Sequence, residues 1–407
     1  MKTKKLIALT LSFIIGAVVS IPALANDDFR KEISKVVSNE VQNEQLVNIV
    51  KGTSLTEQKC KTISDAVKNV DKNAIRESLE TISPEEFYTN RTCIETIPQL
   101  LTNEVQGKNT LRITKTKLVP EKGTSFEMPR PVYEEKVDRD IINMFINKFG
   151  HPDNLFVSYM HPSGTFSRMT LLGYVIDVYF INGTFPEDDD ELYHLVSLAY
   201  FLIKEGANVY EKVNIYPGEI RSIDEYTTKY GHEPGQYFME NLLKQKGIEK
   251  KGKAEHVFHS KLLHILIRTD STEGKCDSIY NDILDNDVKA LKSDLNTITI
   301  EKFYSNKHCI DNIHELLLQV KEGNNMVPIT KQFIKKFGHP DNLIVSKFDP
   351  DDQYIIETLL ADCRTVFSLN NEKINEYKSF LIRKGANTTQ KIIRQDGTQT
   401  TIKVSTK

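Results

Sequence analysis

Residues 59–101 and 275–317 align without a gap and share 17 identities in 43 positions, which makes this chain a tandem internal duplication. A second block agrees: Phe149-Gly150-His151-Pro152-Asp153-Asn154-Leu155 recurs letter for letter as Phe337-Gly338-His339-Pro340-Asp341-Asn342-Leu343. Repeats of this size are supersecondary units that stack on one continuous core rather than close into a single globule. The duplication also constrains the cysteines. Cys60 answers to Cys276 and Cys93 to Cys309, each pair 33 residues apart. A bridge inside one copy can be duplicated intact, whereas a bridge between copies has no partner before the duplication. The expected pairing is therefore Cys60–Cys93 and Cys276–Cys309. Cys363 has no counterpart and reads as a buried small hydrophobe.

The N-terminus reads as an export signal. Lys2, Lys4 and Lys5 precede an apolar run over residues 6–19, and Ala23-Leu24-Ala25 supplies small residues for cleavage before Asn26. The run is shorter than the ~20 residues a spanning helix needs, and no later stretch approaches that length. The expected product is a soluble periplasmic or secreted protein, and an oxidising compartment suits the paired cysteines. Without residues 1–25 the chain has 50 basic against 56 acidic residues. That balance lacks the concentrated basic face nucleic-acid binding requires.

Apolar spacing reads as short helices in pairs. Ile63, Ala66, Val67 and Val70 form one stripe, and Asp71 caps a second helix carrying Ala74, Ile75, Leu79 and Ile82. Ser83-Pro84-Glu85-Glu86 opens the next, with Ser as cap, Pro at the first position and acids in the first turn. Copy 2 repeats the pattern, and strand-like alternation is scarce. The expectation is a mostly helical chain.

Two sets of residues resemble the ankyrin-repeat family. Thr170-Leu171-Leu172-Gly173-Tyr174-Val175 is similar to the opening of its first helix, with Leu and Gly where the family has Pro and His. Phe201-Leu202-Ile203-Lys204-Glu205-Gly206-Ala207-Asn208 is similar to the ending of its second helix, where Gly takes a left-handed cap. Copy 2 supplies Thr358-Leu359-Leu360 and Phe380-Leu381-Ile382-Arg383-Lys384-Gly385-Ala386-Asn387. Tyr230-Gly231-His232, followed by Asn241-Leu242-Leu243 and Gly247, looks like a further helix pair. After each Gly-Ala-Asn the chain reaches a turn dipeptide, Pro217-Gly218 or Asp396-Gly397, a hairpin signal.

The resemblance implies an all-α, ankyrin-like solenoid of helix pairs with short β-hairpins. Its parts are a signal peptide over 1–25, copy 1 over 26–217, a bridging helix pair over 218–250 and copy 2 over 251–407. It places recognition of another protein at the hairpin tips and the first-helix face, which nominates Tyr210, Tyr216 and Glu219 in copy 1 and Arg394, Gln395 and Thr398 in copy 2. Copy 1, with its tyrosines, is expected to dominate affinity. One feature resists this picture. Neighbouring helix axes lie ~8–10 Å apart, wider than the ~7 Å that bridged Cα atoms tolerate, so either the bridged cysteines lie at converging helix ends or the local geometry is irregular.

Catalytic signatures are scarce. The sequence has no His-Glu-x-x-His, Gly-x-Ser-x-Gly, phosphate-binding glycine loop or Cys-x-x-Cys. His256, His259 and His264 lack partners at metal-ligand spacing. His151 and His339 read as structural, each following a helix-ending Gly and leading into Pro-Asp. The acidic run 187–191 lacks the spacing and Gly turn of a calcium loop. Tyr193, Tyr200 and Phe201 read as core. Together these favour an exported protein–protein interaction module without cofactor, metal or stable membrane insertion. An inhibitor or immunity-type protein is one form of it. A structural envelope protein, or a hydrolase with a site assembled from distant residues, are the alternatives.

Overall fold

A computed structural model describes residues 27–105, 139–160, 166–176, 198–199, 201–208, 212–216, 219–222, 257–349, 354–365, 372–394 and 396–405. The signal segment 1–25, the bridging pair 218–250 apart from residues 219–222, the acidic run and the inserted connections lie outside them. Among the described residues no helix is long and apolar enough to cross a membrane.

Copy 1 begins with α1 (Asp27–Lys68), a continuous helix of 42 residues. It ends where Val70 adopts φ 57°, and Asp71 then accepts the N–H groups of Asn73 and Ala74 to cap α2 (Lys72–Thr81). Copy 2 has Asn286 at the equivalent turn (φ 54°), a residue that enters the left-handed region more readily than a β-branched one. Ser83 and Glu86 form a reciprocal capping box on α3 (Pro84–Tyr88), as the Ser-Pro-Glu-Glu run anticipates. Asn90 caps α4 (Arg91–Ile94), after which come α5 (Thr96–Val105) and α6 (Asp140–Phe149). A 3-10 turn, Pro152–Asn154, leads into β1 (Phe156–Met160), β2 (Phe166–Thr170), α7 (Leu171–Ile176), β3 (Lys212–Tyr216) and β4 (Glu219–Ser222).

Copy 2 repeats the order: α8 (Val257–Leu284), α9 (Val288–Thr297), α10 (Ile300–Tyr304), α11 (Lys307–Glu322) and α12 (Val327–Phe337), then the turn Pro340–Asn342. After it come β5 (Ile344–Phe348), β6 (Tyr354–Thr358), α13 (Leu359–Thr365), α14 (Glu372–Arg383), β7 (Thr389–Arg394) and β8 (Gln399–Lys403). Each copy holds a four-stranded antiparallel sheet in sequential order, β1-β2-β3-β4 and β5-β6-β7-β8.

The all-α expectation is thereby corrected: the chain is mostly helical with small antiparallel sheets. The two hairpins form after each Gly-Ala-Asn, yet each joins a second strand pair. In copy 2 the inner strand of that pair shows no alternation. Tyr354, Ile355, Ile356 and Glu357 of β6 are all buried, so no alternation marks the strand. The expectation of short helices throughout also gives way at α1 and α8, which run 42 and 28 residues.

Both disulfides pair as the duplication requires, with Cα–Cα distances of 4.6 Å for Cys60–Cys93 and 4.8 Å for Cys276–Cys309. The spacing conflict dissolves because Cys93 sits in the four-residue α4 and Cys309 in the first turn of α11. Cys363 is the free cysteine and is buried.

The repeated heptapeptide and the Gly-Ala-Asn ending form one joint in each copy. Gly150 and Gly338 take left-handed φ (82° and 83°) to end α6 and α12. His151 and His339 then accept the N–H of Asp153 and Asp341 on Nδ1, both at 3.2 Å. Asp153 Oδ1 accepts the Asn208 N–H at 2.9 Å, and Asp341 Oδ1 the Asn387 N–H at 3.1 Å. A Cβ on Gly206 or Gly385 would stand 3.4 Å from the Nε2 of His151 or His339. Asn154 and Asn342 donate back to Phe149 O and Phe337 O at 2.8 and 2.7 Å. Tyr88 and Tyr304, fully buried, donate their hydroxyls to the carbonyls of Asn154 and Asn342. Burial pushes both phenols well above their ordinary pKa. Both histidines thus make the same backbone contact at this joint.

The compact units do not follow the repeats. One comprises Thr53–Gly274, the other Met1–Gly52 with Lys275–Lys407. The first has its own core, around Cys60, Phe87, Tyr88, Phe145 and Phe149, which is completed by Leu262, Ile265 and Leu266 of α8. Thr269 of the same helix has its hydroxyl 3.0 Å from Tyr88 O. The second core, around Cys276, Phe303, Tyr304, Phe333 and Phe337, is completed by Leu46 and Val50 of α1. Asn43 of α1 donates to Asp341 O at 2.6 Å. Leu46 and Val50 correspond to Leu262 and Leu266 by the offset that relates Cys60 to Cys276. Each copy thus gives the front of its leading helix to the other copy's core.

Leu46→Ala tests this. It should destabilise the second unit by about 2–5 kcal/mol, the usual cost of truncating a buried leucine. Hydrogen exchange should accelerate at Ile313 and Leu317, which lie more than 260 residues away in sequence, before it does at Ile94 and Ile97. Removing either disulfide, as Cys60→Ser with Cys93→Ser, should cost on the order of 3–4 kcal/mol by the loop-closure argument. Thermal unfolding with and without reductant measures it.

Candidate functional site

Copy 2 contains a buried charged cluster whose matching positions in copy 1 are all uncharged. Lys347 on β5 places Nζ 2.8 Å from Glu357 Oε1 on β6 and in contact with Asp362 Oδ1 on α13. His314 on α11 brings Nδ1 to 2.6 Å from Asp362 Oδ2. Both carboxylate side chains are fully buried, while the Lys347 side chain is 19% and the His314 side chain 26% exposed. Each member is placed by local sequence. Thr358 Oγ1 accepts the Ala361 N–H at 3.3 Å and starts α13, so Asp362 falls in its first turn, where the helix dipole favours an anion. Asn306 and the left-handed Gly323 (φ 105°) cap the two ends of α11 and fix the position of His314. Burial works to lower the Lys347 pKa, but Asp362 and Glu357 outweigh it and hold the ammonium above its ordinary value.

At the positions of His314, Lys347, Glu357 and Asp362 copy 1 has Pro98, Tyr159, Met169 and Tyr174. The duplicated fold therefore does not require the charges. Chemically, the Asp362–His314 contact orients an imidazole, as a general-base pair does. The adjacent thiol is no nucleophile. Cys363 is fully buried, and desolvation, with Asp362 beside it, pushes the thiol far above its ordinary pKa. Cys363 stands where copy 1 has Val175, itself buried, in keeping with a packing role.

The second candidate surface is the copy 2 hairpin. Gln390 Nε2 donates to Asp341 Oδ1 at 3.0 Å, and Thr358 Oγ1 donates to Gln390 Oε1 at 2.8 Å, which ties β7 to both the His339 joint and β6. The tip is a tight turn. Gly397 adopts φ 84° and donates to Arg394 O at 3.0 Å, and Thr398 N donates to Asp396 Oδ1 at 2.8 Å. The Thr398 bonds hold the exposed Asp396 carboxyl below its ordinary pKa. Arg394 and Thr398 meet here: Arg394 N donates to Thr398 O at 2.9 Å, and Arg394 Nη1 reaches Thr400 Oγ1 at 3.2 Å.

Of the other nominated residues, Tyr210 and Gln395 lie outside the described residues. Tyr216 and Glu219 are register partners at the ends of β3 and β4, beside a ladder irregularity, and their side chains are not described. His256, Tyr193 and Tyr200 also fall outside. Phe201 packs against the first core, as expected. No protein-family model, curated protein or solved structure matches this chain.

Lys347→Met should cost about 3–5 kcal/mol, because it leaves two buried carboxylates without their cation. The triple change Lys347→Tyr, Glu357→Met and Asp362→Tyr, which installs the copy 1 residues, should recover most of that loss. The folded pKa of Lys347 is raised above its unfolded value. Its contribution is therefore complete below pH ~10 and falls as pH climbs through the folded pKa. Denaturant titrations at pH 7 and in strong alkali should show a larger loss in the parent chain than in Lys347→Met, where the buried tyrosines, their phenols also raised, still respond.

Proposed function

We propose that the chain is an exported protein-binding module, acting in an oxidising compartment and using the copy 2 hairpin as its contact element. The observation that carries this reading is the mounting of that hairpin. A network through Asp341, Asn387, Gln390 and Thr358 fixes its base, while Gln399, Thr400, Thr401 and Lys403 remain exposed. A binding element that is held rigid before contact loses little entropy on docking. The two disulfides support export, since such bridges persist where thiols are oxidised. The ankyrin-like resemblance and the signal-like N-terminus belong to the same proposal. So does the copy 1 tip around Tyr216, as a second contact point.

Immobilised mature protein would be used to recover binding partners from its own envelope fraction. Arg394→Ala with Thr398→Ala should weaken recovery about tenfold, or ~1.4 kcal/mol, with the melting temperature nearly unchanged. Tyr216→Ala measures the copy 1 contribution in the same assay. Undiminished recovery in both variants, with the fold intact, would remove the hairpins from the interface. Co-sedimentation of unaltered protein with membranes or peptidoglycan would favour the structural envelope alternative.

A further inference from the structure

The copy 2 sheet ends in β8, which has β7 on one side and no strand on the other among the described residues. The register of the β7–β8 hairpin determines which backbone groups face outward. Arg394 N bonds Thr398 O, and Val404 N bonds Thr388 O, so those two pairs are hydrogen-bonded pairs of the antiparallel ladder. Such pairs alternate with non-bonded ones. Thr389↔Lys403, Lys391↔Thr401 and Ile393↔Gln399 are therefore the non-bonded pairs. In those pairs the N–H and C=O groups of Gln399, Thr401 and Lys403 turn away from β7, toward the open edge.

The side chains sort the same way. Thr389, Lys391, Thr401 and Lys403 share one face and are exposed, whereas Gln390 and Ile402 share the other and are buried. The hairpin is basic, with Lys391, Arg394 and Lys403 against Asp396 alone, in a chain whose formal net charge is -3. Edge lysines also deter indiscriminate strand pairing: a strand of like charge is repelled, and one of opposite charge gains cross-strand attraction.

We infer that β8 accepts a fifth, antiparallel or parallel strand from a protein partner, and that this strand is an extended acidic segment. Main-chain bonds to Gln399, Thr401 and Lys403 supply the pairing. Carboxylates at alternate positions lie on the Lys391–Lys403 face, and β-branched residues between them lie on the Ile402 face. This inference rests on the proposed protein-binding reading and names the class of partner.

The test uses the full mature chain and a labelled, end-blocked Glu-Val-Glu-Val-Glu-Val peptide, followed by fluorescence anisotropy. Saturable binding is expected, weakening as salt rises. Three controls carry the decision. The Lys-for-Glu peptide should bind at least tenfold more weakly. Thr401→Pro deletes an outward N–H that makes no ladder bond to β7, and should weaken binding at least tenfold with the circular dichroism spectrum retained. A peptide N-methylated at alternate residues, on the edge that faces β8, should lose binding without any change to the protein. Lys391→Glu with Lys403→Glu should reverse the preference between the two peptides. Binding that survives both Thr401→Pro and N-methylation is charge adsorption, and overturns strand addition. No binding at millimolar peptide overturns it as well. If the peptide fails while the Arg394 and Thr398 changes still weaken recovery of natural partners, the interaction reading stands and only this inference falls.

Discussion

Each hydrophobic core closes only when a segment of helix from outside its own repeat enters it. Leu46 and Val50 are nearly or fully buried, yet they pack among residues of copy 2. Leu262 and Leu266 are buried among residues of copy 1. Burying such a side chain contributes roughly 1.5–3 kcal/mol, and with Ile265 five of them are exchanged. The stability of each unit is therefore written partly in the other copy's sequence. A chain of independent repeats gains stability by adding neighbours one at a time. Here the exchange couples the two repeats through α1 and α8, and neither core is complete on its own residues.

Within a copy, the joint between the heptapeptide and the Gly-Ala-Asn ending does the comparable work. The left-handed glycine, the capping histidine, the Asp-to-backbone bond and the buried tyrosine hydroxyl satisfy polar groups that would otherwise be stranded where helix passes into strand. The two motifs lie about fifty residues apart in sequence and are retained together in both copies. The identity of the heptapeptide follows from its geometry. Pro starts the 3-10 turn, Asp reaches the Asn208 or Asn387 N–H, Asn returns to the preceding helix, and Leu fills the core. None of these roles needs a ligand.

What could be read in the sequence obeyed local rules. Asp71, Ser83 and the helix-ending glycines announced their caps because capping is set within a few residues. The disulfide partners were readable because duplication preserves internal pairings. Other features obey no local rule. An apolar stripe at Leu46 and Val50 has the same period whichever core it enters. Strand β6 and the first three residues of β5 are buried on both faces and lose the alternation that would mark them. His314, Lys347, Glu357 and Asp362 come from four elements, and their only sequence signal is a contrast: copy 1 has no charge at any of these positions. That contrast was visible in the alignment, but it gains meaning only once β5, β6, α11 and α13 are brought together.

The contrast says something about how the copies diverged. Tyr, Met and Pro at the copy 1 positions suit an apolar interior, and apolar residues are often as stabilising as a buried ion pair of similar volume, or more so. The charges of copy 2 therefore do not gain their place through stability alone. They differ from apolar packing in being directional. Lys347 bridges β5, β6 and α13, and His314 ties α11 to the same carboxylate. Strand β6 is held on one side by β5 along five register pairs, and joins β7 through two, Ile355↔Arg394 and Ile356↔Ile393. The hairpin's attitude thus depends on a strand whose own placement the charged cluster fixes. An apolar set would tolerate small shifts of β6 at little cost, while the cluster would break contact with a carboxylate that has no water to replace its partner. The charged cluster thus gives copy 2 a directional restraint at the base of the hairpin, the same element that carries Arg394, Thr398 and the open edge of β8.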